Sequence, residues 1–183
     1  MTKETKETNE APDVMEGQLC PICQKNTLTL MEAERDIPFF GKAHLFSMNC
    51  SSCKYHKADI EFNNQQEPSK YELEISSEED LKIRIVKSSN ANIKLGRIAT
   101  IEANEASNGY ITNVEGIIKR IENIIEFARD NAEDNTERKQ AKNHLKKIRK
   151  VLWGQDKIKL VIEDKTGNSA IISDKAIKSK LKK

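Results

Sequence analysis

Four cysteines are the only thiols in the chain, and they stand as two Cys-x-x-Cys pairs, Cys20/Cys23 and Cys50/Cys53, with 26 residues between the pairs. A Cys-x-x-Cys knuckle lets two thiolates grip one ion while backbone N–H groups bond to the sulfurs, and two knuckles complete the sulfur tetrahedron that zinc prefers. Such a closed shell leaves no position for water, so the chemistry it implies is one structural Zn2+ and not a catalytic metal. Two rivals use the same residue type. A dithiol redox pair needs one reactive Cys-x-x-Cys at a strand-to-helix junction, and a second matching pair has no part in it. An iron–sulfur cluster also takes four cysteines, but two symmetric knuckles are the form typical of zinc. The gap between the pairs exceeds the usual ribbon spacing of about 15–20 residues and leaves room for a β-hairpin excursion. His44 and His56 lie nearby; beside four thiolates they are read as surface or outer groups and not as ligands. No phosphate loop, nucleophile–base pair or open metal site emerges from the three histidines and scattered carboxylates, so no enzyme activity is expected.

The elements that must position these cysteines follow from charge and periodicity. Thirty-one Lys and Arg against 29 Asp and Glu leave a net charge of +2, so the molecule has no global basic field and any basic surface is local. No apolar run approaches the roughly 18 residues of a membrane span, and the opening "MTKETKETNEAP" lacks the apolar stretch of a secretory signal. The reading is a cytoplasmic protein with no membrane partner. In that reducing compartment paired cysteines point to metal before disulfides.

Residues 1–16 read as a disordered polar tail, 17–62 as a zinc-finger module with four cysteine ligands and 63–70, "NNQQEPSK", as a linker. Residues 71–175 read as a β-rich domain: "YELEI", "LKIRIVK" and "NIKLGRIATIEA" alternate apolar and polar as strands do, with a break at Gly96, and "IKLVIED" and "SAIISD" return to that pattern around the turn "DKTGNS". Between them a helical hairpin is expected at about 113–153. Val114, Ile117, Ile118, Ile121, Ile124, Ile125 and Ala128 recur at helical spacing, with Thr112 and Glu115 as a capping box. A second helix from about Asp134 presents Ala141, Leu145, Ile148 and Leu152 and stops at Gly154. The basic tail, 176–183, reads as a short helix or a frayed end.

Several stretches occur in the order found in the ZPR-type zinc-finger family: "CPIC", "DIPFFGKAHLFSMNCSSCKYHKADI", "IVKSSNANI", "GYITNVEGIIKRI" and "LVIEDKTGNSAII". The chain resembles that family over roughly residues 17–173. The family's Ile-Pro-aromatic-Phe element is matched by Ile37, Pro38, Phe39 and Phe40. Its Thr-Thr-Val-Glu-Gly signature is matched by Thr112-Asn113-Val114-Glu115-Gly116, and its Asp-Pro-x-Gly-Asn-Ser turn by Asp164-Lys165-Thr166-Gly167-Asn168-Ser169. Asn113 and Lys165 depart from the pattern, and Lys54 stands where a glycine commonly follows the last cysteine. Eukaryotic members carry the module twice, and this chain resembles the single-module archaeal form. The resemblance implies a mainly β protein with an α insertion: a small four-cysteine zinc ribbon followed by a double-stranded β-helix-like domain carrying a helical hairpin. It also implies binding to translation elongation factor 1-alpha, a GTPase, and a role in that protein's folding or maturation.

Under that reading Phe39, Phe40, Glu115 and Asn168 are candidate partner contacts. Each has a structural alternative: packing of the finger for the two aromatics, a helix cap for Glu115 and a turn for Asn168. The runner-up function is a zinc-ribbon RNA- or ribosome-binding protein, using the basic helix 138–150, where Arg138, Lys139, Lys142, Lys146, Lys147, Arg149 and Lys150 cluster opposite the apolar stripe. Nucleic acid is thus a secondary partner class, since such a face is more often simply solvated.

Overall fold

The computed structural model describes residues 11–37, 40–62, 66–104 and 107–181. Strands β1 (Asp13–Leu19), β2 (Asn26–Ile37), β3 (Gly41–Cys50) and β4 (His56–Phe62) form one antiparallel sheet in chain order. The long β2–β3 hairpin, in unbroken register from Leu28↔Cys50 to Ile37↔Gly41, is the excursion that fills the gap between the cysteine pairs. The sheet opens at Asp13, so residues 13–16 belong to it and not to the tail. Strand β1 is exposed along its whole length and is held to β2 by pairs such as Val14↔Met31. With neither face buried, it leaves no alternation for sequence reading to detect.

The second unit comprises β5 (Ser69–Ile75), β6 (Arg84–Lys87), β7 (Ala91–Leu95), β8 (Ala99–Ile101), β9 (Tyr110–Asn113), α1 (Val114–Asn131), α2 (Asn135–Leu152), β10 (Ile158–Asp164), β11 (Ala170–Ile172) and β12 (Ile177–Lys180). Its strands form a five-stranded sheet, β12-β5-β10-β7-β8, and a three-stranded sheet, β11-β6-β9. Ile158, Leu160 and Ile162 of β10 alternate inward and join Leu73, Ile93 and Leu95 in one core. The hairpin closes that core: Ile117, Ile118, Ile121 and Ile125 of α1 and Leu145, Ile148 and Val151 of α2 belong to the same cluster. Each fully buried isoleucine contributes about 1.5–3 kcal/mol, which makes this core the main source of stability.

Four local expectations change. The start of "LKIRIVK" is a 3-10 turn, Glu79–Lys82, because the buried Asp80 carboxylate accepts the N–H groups of Ser76 (3.0 Å) and Ser77 (3.1 Å) and the Lys175 ammonium (2.6 Å). Within the basic tail, Ile177–Lys180 is a strand and not a helix or a frayed end: β12 pairs with β5, Ile177↔Glu72 to Lys180↔Ser69, with Lys178 over the Tyr71 ring. Ser69 and Lys70, assigned to the linker, begin β5. Helix α1 is capped by Asn113, whose Oδ1 accepts the Gly116 N–H at 2.8 Å, and not by Thr112. Helix α2 starts as expected on an Asp134 cap, and Gly154 follows it at φ +64°.

Ribbon and β-domain share a buried joint in which Ala43, Ile60 and Val86 pack together. Asp59 Oδ1 accepts the Gly109 N–H across it at 2.7 Å. A Cβ on Gly109 would stand 2.5 Å from Ile60 Cγ2 and 2.8 Å from the Ile60 carbonyl oxygen, so close approach requires glycine there.

Candidate metal centre

The two cysteine pairs meet at one end of the ribbon. Cys20 directly follows β1 and Cys50 ends β3; each begins a tight turn that carries its second cysteine back toward the first. The turns repeat one another. Gln24 N–H donates to the Cys20 carbonyl (2.9 Å) and Lys54 N–H to the Cys50 carbonyl (3.1 Å). Cys20 N–H donates to the Lys25 carbonyl (2.9 Å) and Cys50 N–H to the Tyr55 carbonyl (2.8 Å). Gln24 and Lys54 both adopt positive φ, 56° and 62°.

These turns bring the four sulfurs within 4.8 Å of one another, with Cys20–Cys53 and Cys23–Cys50 each at 3.7 Å. Zinc–sulfur bonds of about 2.3 Å in a tetrahedron require sulfurs about 3.8 Å apart, so the donor set fits one zinc ion. The disulfide alternative is absent, as all four cysteines are free. His44 lies 3.9 Å from Glu32 and Glu34, and His56 bonds to Asn49 at 2.7 Å; neither joins the cluster.

The electrostatics point the same way. The Cys53 backbone N–H, then the Thr27 hydroxyl at 3.2 Å, hold the Cys50 thiol down to about 6. Cys53 is pushed up to about 12: the Tyr55 backbone pulls its thiol down, but burial and hydrogen bonds to Cys50, Cys20 and Cys23 outweigh that pull. Thiols this close cannot all ionise beside one another, whereas a divalent cation binds all of them as thiolates. Thr27 was not singled out in the sequence, where a lone threonine carries no signal; only the ribbon pairing places it against Cys50.

Comparison with known proteins adds the family. Residues 14–68 match the ZPR1 zinc-finger domain and residues 79–183 the ZPR1 jelly-roll domain. The chain belongs to the ZPR1 zinc-finger family. A ZPR1-like protein of Methanocaldococcus jannaschii is 34% identical over 157 residues, covering 85% of this chain and 79% of that relative. One from Pyrococcus horikoshii is 34% identical over 169 residues, covering 90% of this chain and 76% of the relative. The zinc finger chaperone zpr1 of Schizosaccharomyces pombe is 26% identical over 174 residues, 93% of this chain but 37% of that longer protein.

The ZPR1 signatures serve the fold. In the Asp164–Ser169 turn the fully buried Asp164 accepts four hydrogen bonds: at Oδ1 from Thr166 N–H and Oγ1 (both 2.7 Å), and at Oδ2 from Ser88 Oγ (2.7 Å) and Ser169 Oγ (2.5 Å). Gly167, at φ +71°, lies against the backbone of residues 66 and 67, where a Cβ would stand 2.3 Å from the Glu67 oxygen. Asn168 is buried in this turn, only 7% exposed. Gly116 sits under Thr112, whose Oγ1 would lie 2.2 Å from an added Cβ. Glu115 is exposed in the first turn of α1. Phe40 is half-buried against Phe62, ring centroids 5.1 Å apart, beside the joint between the units. Pro38 and Phe39 lie outside the described residues.

Proposed function

We propose that this ZPR1-family protein is a zinc-dependent binding module that engages translation elongation factor 1-alpha in the cytoplasm and assists the folding or maturation of that GTPase. The observation that carries the binding part is the apolar surface of the ribbon. Leu19 (63% exposed), Ile22 (65%), Val14 and Met15 all face solvent, and β1 to β3 form a shallow cavity of about 400 Å³ lined by Val14, Met15, Leu30, Met31, Phe46 and Met48. An exposed apolar, methionine-rich patch on a small ribbon is suited to adaptable protein contact. The closed sulfur cluster holds that patch in shape and has no position for a substrate, so the proposed activity is binding and not catalysis. The elongation factor as partner rests on the family resemblance, and a chaperone role accords with the name of the S. pombe relative.

The test is a pull-down with zinc-loaded protein from nuclease-treated extract at moderate salt. Elongation factor 1-alpha should be recovered by the wild type and lost with Met15→Asp plus Met31→Asp, a variant that keeps its zinc. Failure to recover the factor, or equal recovery by the variant, would overturn the proposal.

A further inference from the structure

Helix α2 carries seven Lys and Arg against one acidic residue, Glu137, yet the acidic groups of α1 offset only part of this charge. Glu122 and Glu126 are engaged by Arg149, at 3.8 and 3.7 Å, and Glu122 also by Lys119 at 3.4 Å. Lys142, Lys146 and Lys150 are exposed and make no ion pair among the described residues. They follow one another at successive turns, about 6 Å apart along the axis, a step comparable with that between phosphates of an extended strand. Basic residues in a last helical turn commonly offset the helix dipole, but this row begins nearly three turns before the end of α2, at Leu152.

At the end of the row stands Trp153, 64% exposed although it is the largest apolar side chain available to the core. Trp153, the three lysines and Arg129 border a groove of about 470 Å³ floored by Leu145. An indole left in water beside unpaired cations is a poor solution for stability. It is, however, the combination that single-stranded nucleic acid recognition uses: cations along the backbone path and an aromatic face on which a base stacks.

We infer that the α2 groove binds a single-stranded polynucleotide, with phosphates on Lys142, Lys146 and Lys150 and one base stacked on Trp153. The site is separate from the apolar ribbon surface and does not depend on the elongation-factor reading. An acidic protein segment would satisfy the lysines but would leave the indole without a stacking partner, so the observations favour the polynucleotide.

Trp153 is the only tryptophan in the chain, so its fluorescence reports the site directly. Zinc-loaded protein is titrated with oligouridylate and oligothymidylate of about ten nucleotides, within the usual single-strand site sizes. Quenching by either is expected, and the oligomer that binds more tightly identifies RNA or DNA as the source. The logarithm of affinity should fall with that of salt at a slope of about −2, roughly −0.7 for each of three phosphates, and Lys146→Gln should flatten it by about 0.7. By anisotropy of labelled oligomer, Trp153→Leu should weaken binding about 5- to 150-fold while Trp153→Phe retains most of it. These side chains are exposed, and unchanged thermal melting confirms that each variant is folded. Absence of quenching at low salt, insensitivity to Lys146→Gln, or equal binding and quenching by polyglutamate would overturn the inference.

Discussion

Lys54 repeats, one cysteine pair later, the left-handed backbone of Gln24, with φ of 62° against 56°. Each follows the second cysteine of its knuckle, where the chain must turn sharply so that both sulfurs reach the same ion. A β-carbon is disfavoured in this left-handed conformation: a side chain there strains the turn by about 1–2 kcal/mol. Lys54→Gly should therefore stabilise the ribbon by about 1 kcal/mol after the added flexibility of the unfolded chain is subtracted. A rise in the chelator concentration needed to strip zinc would show it; an unchanged or lower midpoint would contradict the strain argument.

Beneath the metal the ribbon has little else to hold it. Its buried cluster at that end is Cys20, Leu28 and Cys50, with Cys23, Leu30, Met48 and Tyr55 partly covered. Structural zinc contributes about 10–16 kcal/mol in comparable small fingers, more than such a core can replace. Chelation, or Cys50→Ser, should reduce bound zinc from one ion to none and abolish amide-exchange protection in Leu28–Cys50. Ile93 and Ile162 in the β-domain core should stay protected, and their simultaneous loss would mean that the two units unfold as one.

The joint gives a prediction about the coupling of the two units. Gly109→Ala places a methyl group 2.5 Å from Ile60 Cγ2 and 2.8 Å from its carbonyl oxygen, so the ribbon must shift or the joint must open. A cost of about 1–3 kcal/mol is expected, with zinc content unchanged. Hydrogen exchange should accelerate at Ile60 and Gly109 first, and exchange unaltered there would show that the joint tolerates the displacement.

Asp80 supplies the pH dependence. Burial raises its carboxyl, but the Lys175 ammonium and the Ser76 and Ser77 N–H groups outweigh that and hold it well below the usual carboxylate range. A folded value below the unfolded one stabilises above the unfolded value, near 3.9, and is lost progressively as pH falls toward the folded value. Asp80→Asn should thus cost about 2 kcal/mol at neutral pH. The gap between variant and wild type should narrow below about pH 4. Melting curves at pH 7 and pH 3 test the sign, and a gap that widens on acidification would refute it.

The cysteine spacing named the metal ligands, and period-3.6 isoleucines named α1, because both signals are local and chemical. Other features left no such trace. Strand β1 buries neither face, so no alternation marks its pairing with β2. Strand β12 is exposed and basic, and becomes a strand because the acidic and aromatic edge of β5 lies beside it. Asn113, a departure from the family signature, took over the cap from Thr112, which instead covers Gly116. The Asp-x-x-Gly-Asn-Ser stretch read as a turn, but nothing in it showed that its Asp164 is an internal tie between β10 and Ser88.

By itself the sequence determined one zinc ion, a ribbon, a β-domain and a helical hairpin, since thiol spacing and apolar period act over a few residues. Only the tertiary structure decided that the two knuckles close on each other through matched left-handed turns, and that Gly109 locks ribbon to β-domain. It also left Trp153 uncovered at the end of a row of unpaired lysines. These depend on which distant surfaces pack together, and packing joins residues whose separation along the chain carries no periodic or chemical mark.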